Sequence, residues 1–165
     1  MLHKMNIAGI AMDPASNTPI ILLKSDDNDQ VVPIWIGLLE ATSIASAMKN
    51  IKFDRPMTHD LFKNFADRME IRVTRIEVSD IKDNTYYAII HFDSPEGAFK
   101  MDARPSDAIA IALRYEAPVF VDDQVITKSQ DTAPDVELGD ESEEGQKWAD
   151  YLKNLSPDDF GKYKV

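Results

Sequence analysis

Six consecutive residues, Ala108-Ile-Ala-Ile-Ala-Leu113, would leave a helix with no polar side, and this constrains the chain more than any other feature. A helix that is apolar all round must be covered all round, so the rest of the protein has to enclose it. The run is introduced by Met101-Asp-Ala-Arg-Pro-Ser-Asp107. Ser106 is placed as the N-cap, its hydroxyl accepting a first-turn N–H, and Asp107 falls at the positive end of the helix dipole. Charged groups are thus gathered at the mouth of a helix that cannot face water. Either they cap a core helix or they form a site.

The same chemistry recurs upstream. Arg55-Pro-Met-Thr-His-Asp-Leu61 again sets Arg-Pro before a capping hydroxyl and an acid, and Glu40-Ala-Thr-Ser-Ile-Ala45 echoes Asp107-Ala-Ile-Ala-Ile-Ala112. These matches are too short to make a repeat. They predict three helix starts that present similar side chains.

A chain of 165 residues supplies enough core for one domain and a tail. It has no cysteine, which excludes disulfides and thiolate metal sites and fits a reducing cytoplasm. Neither a signal peptide nor a membrane-spanning run is apparent, so the expectation is a soluble, cytoplasmic protein without membrane association. The net charge of −11 argues against broad phosphate neutralisation. The charge is uneven, however: residues 122–165 hold 12 acids against 5 bases, which leaves the body only mildly acidic. Local carboxylates remain suited to a hard cation.

Strands are expected at 4–12, 19–24 and 30–36, separated by the turn clusters Asp13–Asn17 and Ser25–Asp29. A helix should run from Gly37 to about Lys49, and a second from Thr58, its cap, with Leu61, Phe62, Phe65 and Met69 on its apolar face. Three more strands follow, from Ile71 to the central motif, with Lys82-Asp-Asn84 as a turn. After the buried helix, Pro118–Val121 and Gln124–Ile126 read as short strands. Strands grouped between helices, instead of alternating with them, predict an α+β fold: two antiparallel strand runs packed with three helices, plus a C-terminal helical tail. The domain is expected to span residues 1–126. An acidic, aperiodic linker follows at 127–145, and the helical tail at 146–165 carries a Trp148, Tyr151, Leu152, Leu155 stripe and a second cap at Ser156-Pro-Asp-Asp159.

Pro33-Ile-Trp-Ile-Gly37 with Glu40-Ala41, Arg55-Pro-Met-Thr-His-Asp-Leu61, and Asp102-Ala-Arg-Pro-Ser-Asp-Ala-Ile-Ala110 with Arg114 and Ala117-Pro118 resemble the bifunctional nuclease domain family. The likeness covers roughly residues 5–127, in order. It implies a compact α+β domain that associates as a homodimer and hydrolyses phosphodiester bonds of RNA and single-stranded DNA. No agreed catalytic set comes with the resemblance, so the motif residues enter as candidates.

His59 suits proton transfer or metal ligation, because its charge can change near neutral pH; the plainer alternative is first-turn surface decoration. Asp60, Asp102 and Asp107, with Glu40, could hold a divalent metal (Mg or Mn) that activates water, although no spacing matches a known metal signature and Asp60 and Asp107 also serve as dipole partners. Arg55 and Arg104 each precede a proline and can either grip a phosphate or pair with a nearby acid. Ser106 reads as a cap, because no Lys or His beside it in sequence would activate it as a nucleophile. Trp35, inside an apolar strand, reads as core or interface more readily than as a base-stacking platform. The expected site is therefore catalytic His59, Asp102 and Glu40, phosphate-binding Arg55 and Arg104, and metal-binding Asp60, Asp102 and Asp107. The competing readings are a non-enzymatic dimeric binding or regulatory module and a small-molecule sensor using the same cluster.

Overall fold

The computed structural model describes residues 1–27, 30–132 and 143–156. The chain opens with β1 (Leu2–Asp13), β2 (Thr18–Ser25) and β3 (Val31–Trp35), an antiparallel meander. Two helices follow, α1 (Leu38–Met48) and α2 (Thr58–Arg68). A second meander comprises β4 (Arg72–Lys82), β5 (Thr85–Asp93) and β6 (Phe99–Ala103). Asp83 and Asn84 both take positive φ, 47° and 59°, which is what a two-residue hairpin turn between twisted strands demands. The chain continues through α3 (Pro105–Tyr115), β7 (Val119–Asp122), α4 (Asp123–Thr132) and α5 (Glu143–Lys153).

The expected strand runs are not separate. The short β7 pairs antiparallel with β1 and parallel with β4, joining both meanders into one seven-stranded sheet of order β3-β2-β1-β7-β4-β5-β6. On a flat sheet β3 and β5 would lie about 24 Å apart, five steps of about 4.8 Å. Yet the Tyr86 hydroxyl of β5 donates to the Pro33 carbonyl of β3 at 2.8 Å, so the sheet curls back on itself. Its inner side and the helices share one core, which includes Ile21, Ile34, Ile44, Ile76, Ile90 and Ile109.

Helix α3 sits where its composition requires, against β4, β5, α1 and α2. Seven of its residues, from Pro105 through Ala112, are buried. The helix starts before the expected cap: Arg104 is the N-cap and Pro105 the first helical residue, a position where a missing N–H costs nothing. Ser106 is therefore inside the first turn and buried, not capping it. Similarly, α2 is capped from Met57, whose N–H donates to Asp60 Oδ2 at 3.1 Å, and Thr58 is already helical.

The segment from Gln124 to Ile126, expected as a strand, belongs to α4. Asp122 Oδ1 accepts the Gln124 N–H at 3.0 Å, so the acid pair that reads as a turn opens a helix instead. Val125, Ile126 and Ser129 are buried along one side of it, and Lys128 reaches Asp80 on β4 at 2.8 Å. Ordered structure therefore continues to Thr132, past the point where the acidic composition suggests a linker. Within the tail, Leu152 and Leu155 are buried in the common core, and the Lys49 ammonium bonds the carbonyls of Leu152 and Lys153 at the end of α5. The Asn28-Asp29 part of the second turn, residues 133–142 of the linker and the second cap from Pro157 onward lie outside the described residues. No helix among the described residues is long and apolar enough to cross a membrane.

Candidate functional site: a cleft at three helix starts

The three helix starts singled out by their similar chemistry meet. Glu40 in the first turn of α1, His59 in the first turn of α2, and Arg104 and Asp107 at the start of α3 line one cleft of about 380 Å³. Leu39, Thr42, Ser43, Ser46, Met57, Thr58 and Arg114 complete its wall. Helix N-termini expose unpaired N–H groups and a partial positive charge, so three of them around one space favour an anion there.

His59 is held at both ring nitrogens. Its Nε2 is 2.9 Å from Asp107 Oδ1 and its Nδ1 is 2.8 Å from Ser43 Oγ. Asp107 also accepts from Arg104 Nε at 2.7 Å. Burial works against the Asp107 charge, but hydrogen bonds from Arg104 and His59 outweigh it and hold the carboxyl below its ordinary value. Arg104 continues to Glu40, NH1 to Oε1 at 2.9 Å. Glu40 can fold back this way because a side chain at Gly37, where α1 begins, would collide with its carboxylate.

Arg114, two turns along α3 from Asp107, is the second guanidinium. It donates to Asp60 Oδ1 at 2.6 Å, to the Ala110 carbonyl at 2.8 Å and to Ser43 Oγ at 3.2 Å. Its side chain is only 7% exposed, against 65% for Arg104. One guanidinium is thus built into the wall and the other stands at the mouth.

Of the residues expected at the site, Glu40, His59, Arg104 and Asp107 converge on the cleft, with Asp60 just behind it through Arg114. Asp102 and Arg55 do not. On β6, Met101 shares the helix-facing side with its neighbour Ile90, so Asp102, one residue on, points from the opposite face beside Ile89. Arg55 is exposed in the loop before α2 and does not line the cleft. Trp35 is pinned by its indole N–H to Asp13 Oδ2 at 2.9 Å. Ser43 and Arg114 were not anticipated at the site, although spacing contains both: Ser43 follows Glu40 by one turn, and Arg114 follows Asp107 by two.

The acids do not present themselves as a metal site. Among the described residues no group of three or more His, Asp or Glu is arranged to hold a metal ion. Asp60 faces Arg114 and the Met57 N–H, Asp107 faces His59 and Arg104, and Asp102 is on another face of the sheet. As placed, Asp60, Asp102 and Asp107 do not fit a shared divalent cation. What the cleft offers chemically is one imidazole, two guanidiniums, the carboxylates of Glu40 and Asp107, and the hydroxyls of Thr42, Ser43, Ser46 and Thr58.

Comparison with known proteins bears on what such a cleft does. A family model described as the bifunctional nuclease domain matches residues 21–133, which include every residue of the cleft. An uncharacterized protein of Mycobacterium tuberculosis is 33% identical over 165 residues, covering 96% of this chain and 98% of its own. Bifunctional nuclease 1 of Arabidopsis thaliana is 28% identical over 123 residues, 73% of this chain but 38% of the plant protein. Bifunctional nuclease 1 of Oryza sativa subsp. japonica is 27% identical over 116 residues, 68% of this chain and 35% of the rice protein.

Proposed function

The chain belongs to the bifunctional nuclease domain family, and on that premise we propose that it hydrolyses phosphodiester bonds of RNA and single-stranded DNA in the cleft at the starts of α1, α2 and α3. The observation that carries the proposal is His59, fixed between Asp107 and Ser43 on the wall of that cleft. A histidine whose ring is oriented by a carboxylate can take a proton as a phosphodiester is attacked and return it to the leaving oxygen. Arg104 suits the non-bridging phosphate oxygens. A guanidinium has five N–H donors, and the bonds to Asp107 and Glu40 use Nε and one N–H of NH1. The carboxylates of Glu40 and Asp107 at the cleft would repel a second phosphate backbone, which favours a single strand.

The proposal extends to a cytoplasmic homodimer. β6 is an edge strand, and α2, whose Phe62 lies against Phe92 of the neighbouring β5, exposes Leu61, Phe65 and Met69 at successive turns of one face. In an antiparallel pairing of two β6 strands about a two-fold at Met101, Lys100 of each copy faces Asp102 of the other. Asp102 then serves the dimer seam and not the reaction.

The test of the activity is incubation of the purified protein with end-labelled single-stranded RNA, single-stranded DNA and duplex, with and without chelator. Cleavage of the single strands is expected. The chelator arm decides the part played by magnesium or manganese, since cleavage that survives it belongs to the side chains. Failure to cut any of the three places the non-enzymatic dimeric module ahead.

A further inference from the structure

Both nitrogens of the His59 ring are already engaged, and only one of their partners carries a proton to give. Nε2 faces the Asp107 carboxylate, which can only accept, so Nε2 bears the hydrogen. In the neutral ring Nδ1 is then an acceptor, and the group 2.8 Å from it is the Ser43 hydroxyl. On its other side Ser43 Oγ accepts from Arg114 NH2 at 3.2 Å. The hydrogen bonds therefore run one way, from Arg114 to Ser43 to His59 to Asp107, with Arg104 closing on the far carboxylate oxygen at 2.7 Å. A water molecule activated by His59 would first have to displace Ser43.

We propose that Ser43 is the nucleophile, and that cleavage proceeds through a covalent phosphoseryl intermediate. The inference rests on the nuclease reading of the cleft and deepens it. The arrangement has the logic of a serine–histidine–aspartate set, with the ring turned so that Nδ1 meets the serine and Nε2 the acid.

The steps balance without any reagent beyond substrate and water. Ser43 Oγ attacks phosphorus while its proton passes to His59 Nδ1, and Asp107 holds the imidazolium that forms. The bond from phosphorus to the leaving ribose oxygen breaks, and His59 returns the proton to that oxygen. Water then attacks the phosphoseryl diester with His59 again as base, the phosphorus–Oγ bond breaks, and Ser43 regains its proton. The Arg114 N–H near Oγ stabilises the negative charge on that oxygen in both steps. Ser43 is half-buried on the cleft wall, where a phosphate held by Arg104 can reach it.

The decisive experiment uses single-stranded DNA with one phosphorothioate linkage of defined configuration, cleaved by the full chain in isotopically labelled water. Two in-line displacements give retention at phosphorus, the expected result, and a single attack by water gives inversion. Ser43→Ala, checked by melting to be folded, should lose cleavage by on the order of 10³-fold or more. Ser43→Cys, which keeps a proton-bearing nucleophile in place, should retain more activity than Ser43→Ala. Inversion overturns the role of Ser43 while leaving the nuclease reading intact, as does cleavage by Ser43→Ala within tenfold of the parent protein. A parent protein that cuts no strand overturns both.

Discussion

Removing Arg114 should destabilise the protein far more than removing Arg104, although the two guanidiniums flank one cleft and each pairs with an acid. The difference follows from burial. Arg114 is 7% exposed and holds Asp60, a main-chain carbonyl and Ser43, so Arg114→Ala leaves these groups without their donor. Breaking a buried pair on one side costs about 3–5 kcal/mol. Because Asp60 is 31% exposed and can turn toward water, the lower end, about 3 kcal/mol, applies. In a domain of this size that lowers the melting temperature by roughly 6–12 °C. Arg104 is 65% exposed, and its pairs with Asp107 and Glu40 are screened by solvent. Arg104→Ala should cost about 1 kcal/mol, or roughly 2–4 °C. Calorimetry or circular-dichroism melts on matched samples make the comparison. An Asp60→Asn, Arg114→Met double variant should recover part of the loss, since no charge is then left buried alone. Equal shifts for the two single alanine variants would refute the division into a wall arginine and a mouth arginine.

Three other outcomes are expected. Leu152→Ala should destabilise by roughly 2–3 kcal/mol in denaturant melts, because α5 buries this side chain in the common core; an unchanged midpoint would mean the tail does not dock. Hydrogen bonds from Lys128 and then Lys82 hold the Asp80 carboxyl down at about 2, so its pairing contributes fully above its ordinary value of 3.8 and is lost as the pH falls toward about 2. Stability measured against pH should accordingly decline less steeply over that acid window in Asp80→Asn, and an identical slope would remove Asp80 from the account. Asp102→Lys places like charges opposite each other at the proposed β6 seam, so sedimentation should show a shift toward monomer, while an unchanged dimer assigns association to another surface.

The sequence specifies the covered helix, both meanders and three helix starts of similar chemistry, because each rests on a local pattern: an unbroken apolar run, period-two alternation, and acids beside a proline or a capping group. What it hides is non-local. Nothing in Pro118-Val-Phe-Val121 announces that one short strand bridges two meanders, since parallel pairing with β4 is settled only once the chain has folded. Asp122-Asp123 suits a turn and a helix start equally, and burial of Val125 and Ile126 decides for the helix. Asp102 reads as a site residue because it stands between a strand and the buried helix, yet it still belongs to β6, on the face opposite its neighbour Met101. Helical spacing puts Ser43 near Glu40 and Arg114 near Asp107, but it is their partners on α2, His59 and Asp60, that mark them as part of the site.

The central claim is that this cleft performs chemistry, and His59 is where it is most exposed to failure. The measurement is the initial rate of cleavage of end-labelled single-stranded RNA and DNA by the parent protein and by His59→Ala, each normalised to the folded fraction from its own melt. Loss of the proton carrier should lower the rate by roughly 10²–10⁴-fold on both substrates while the variant still folds. Equal rates per folded molecule would contradict the account and move the activity, and the search for its residues, away from the cleft.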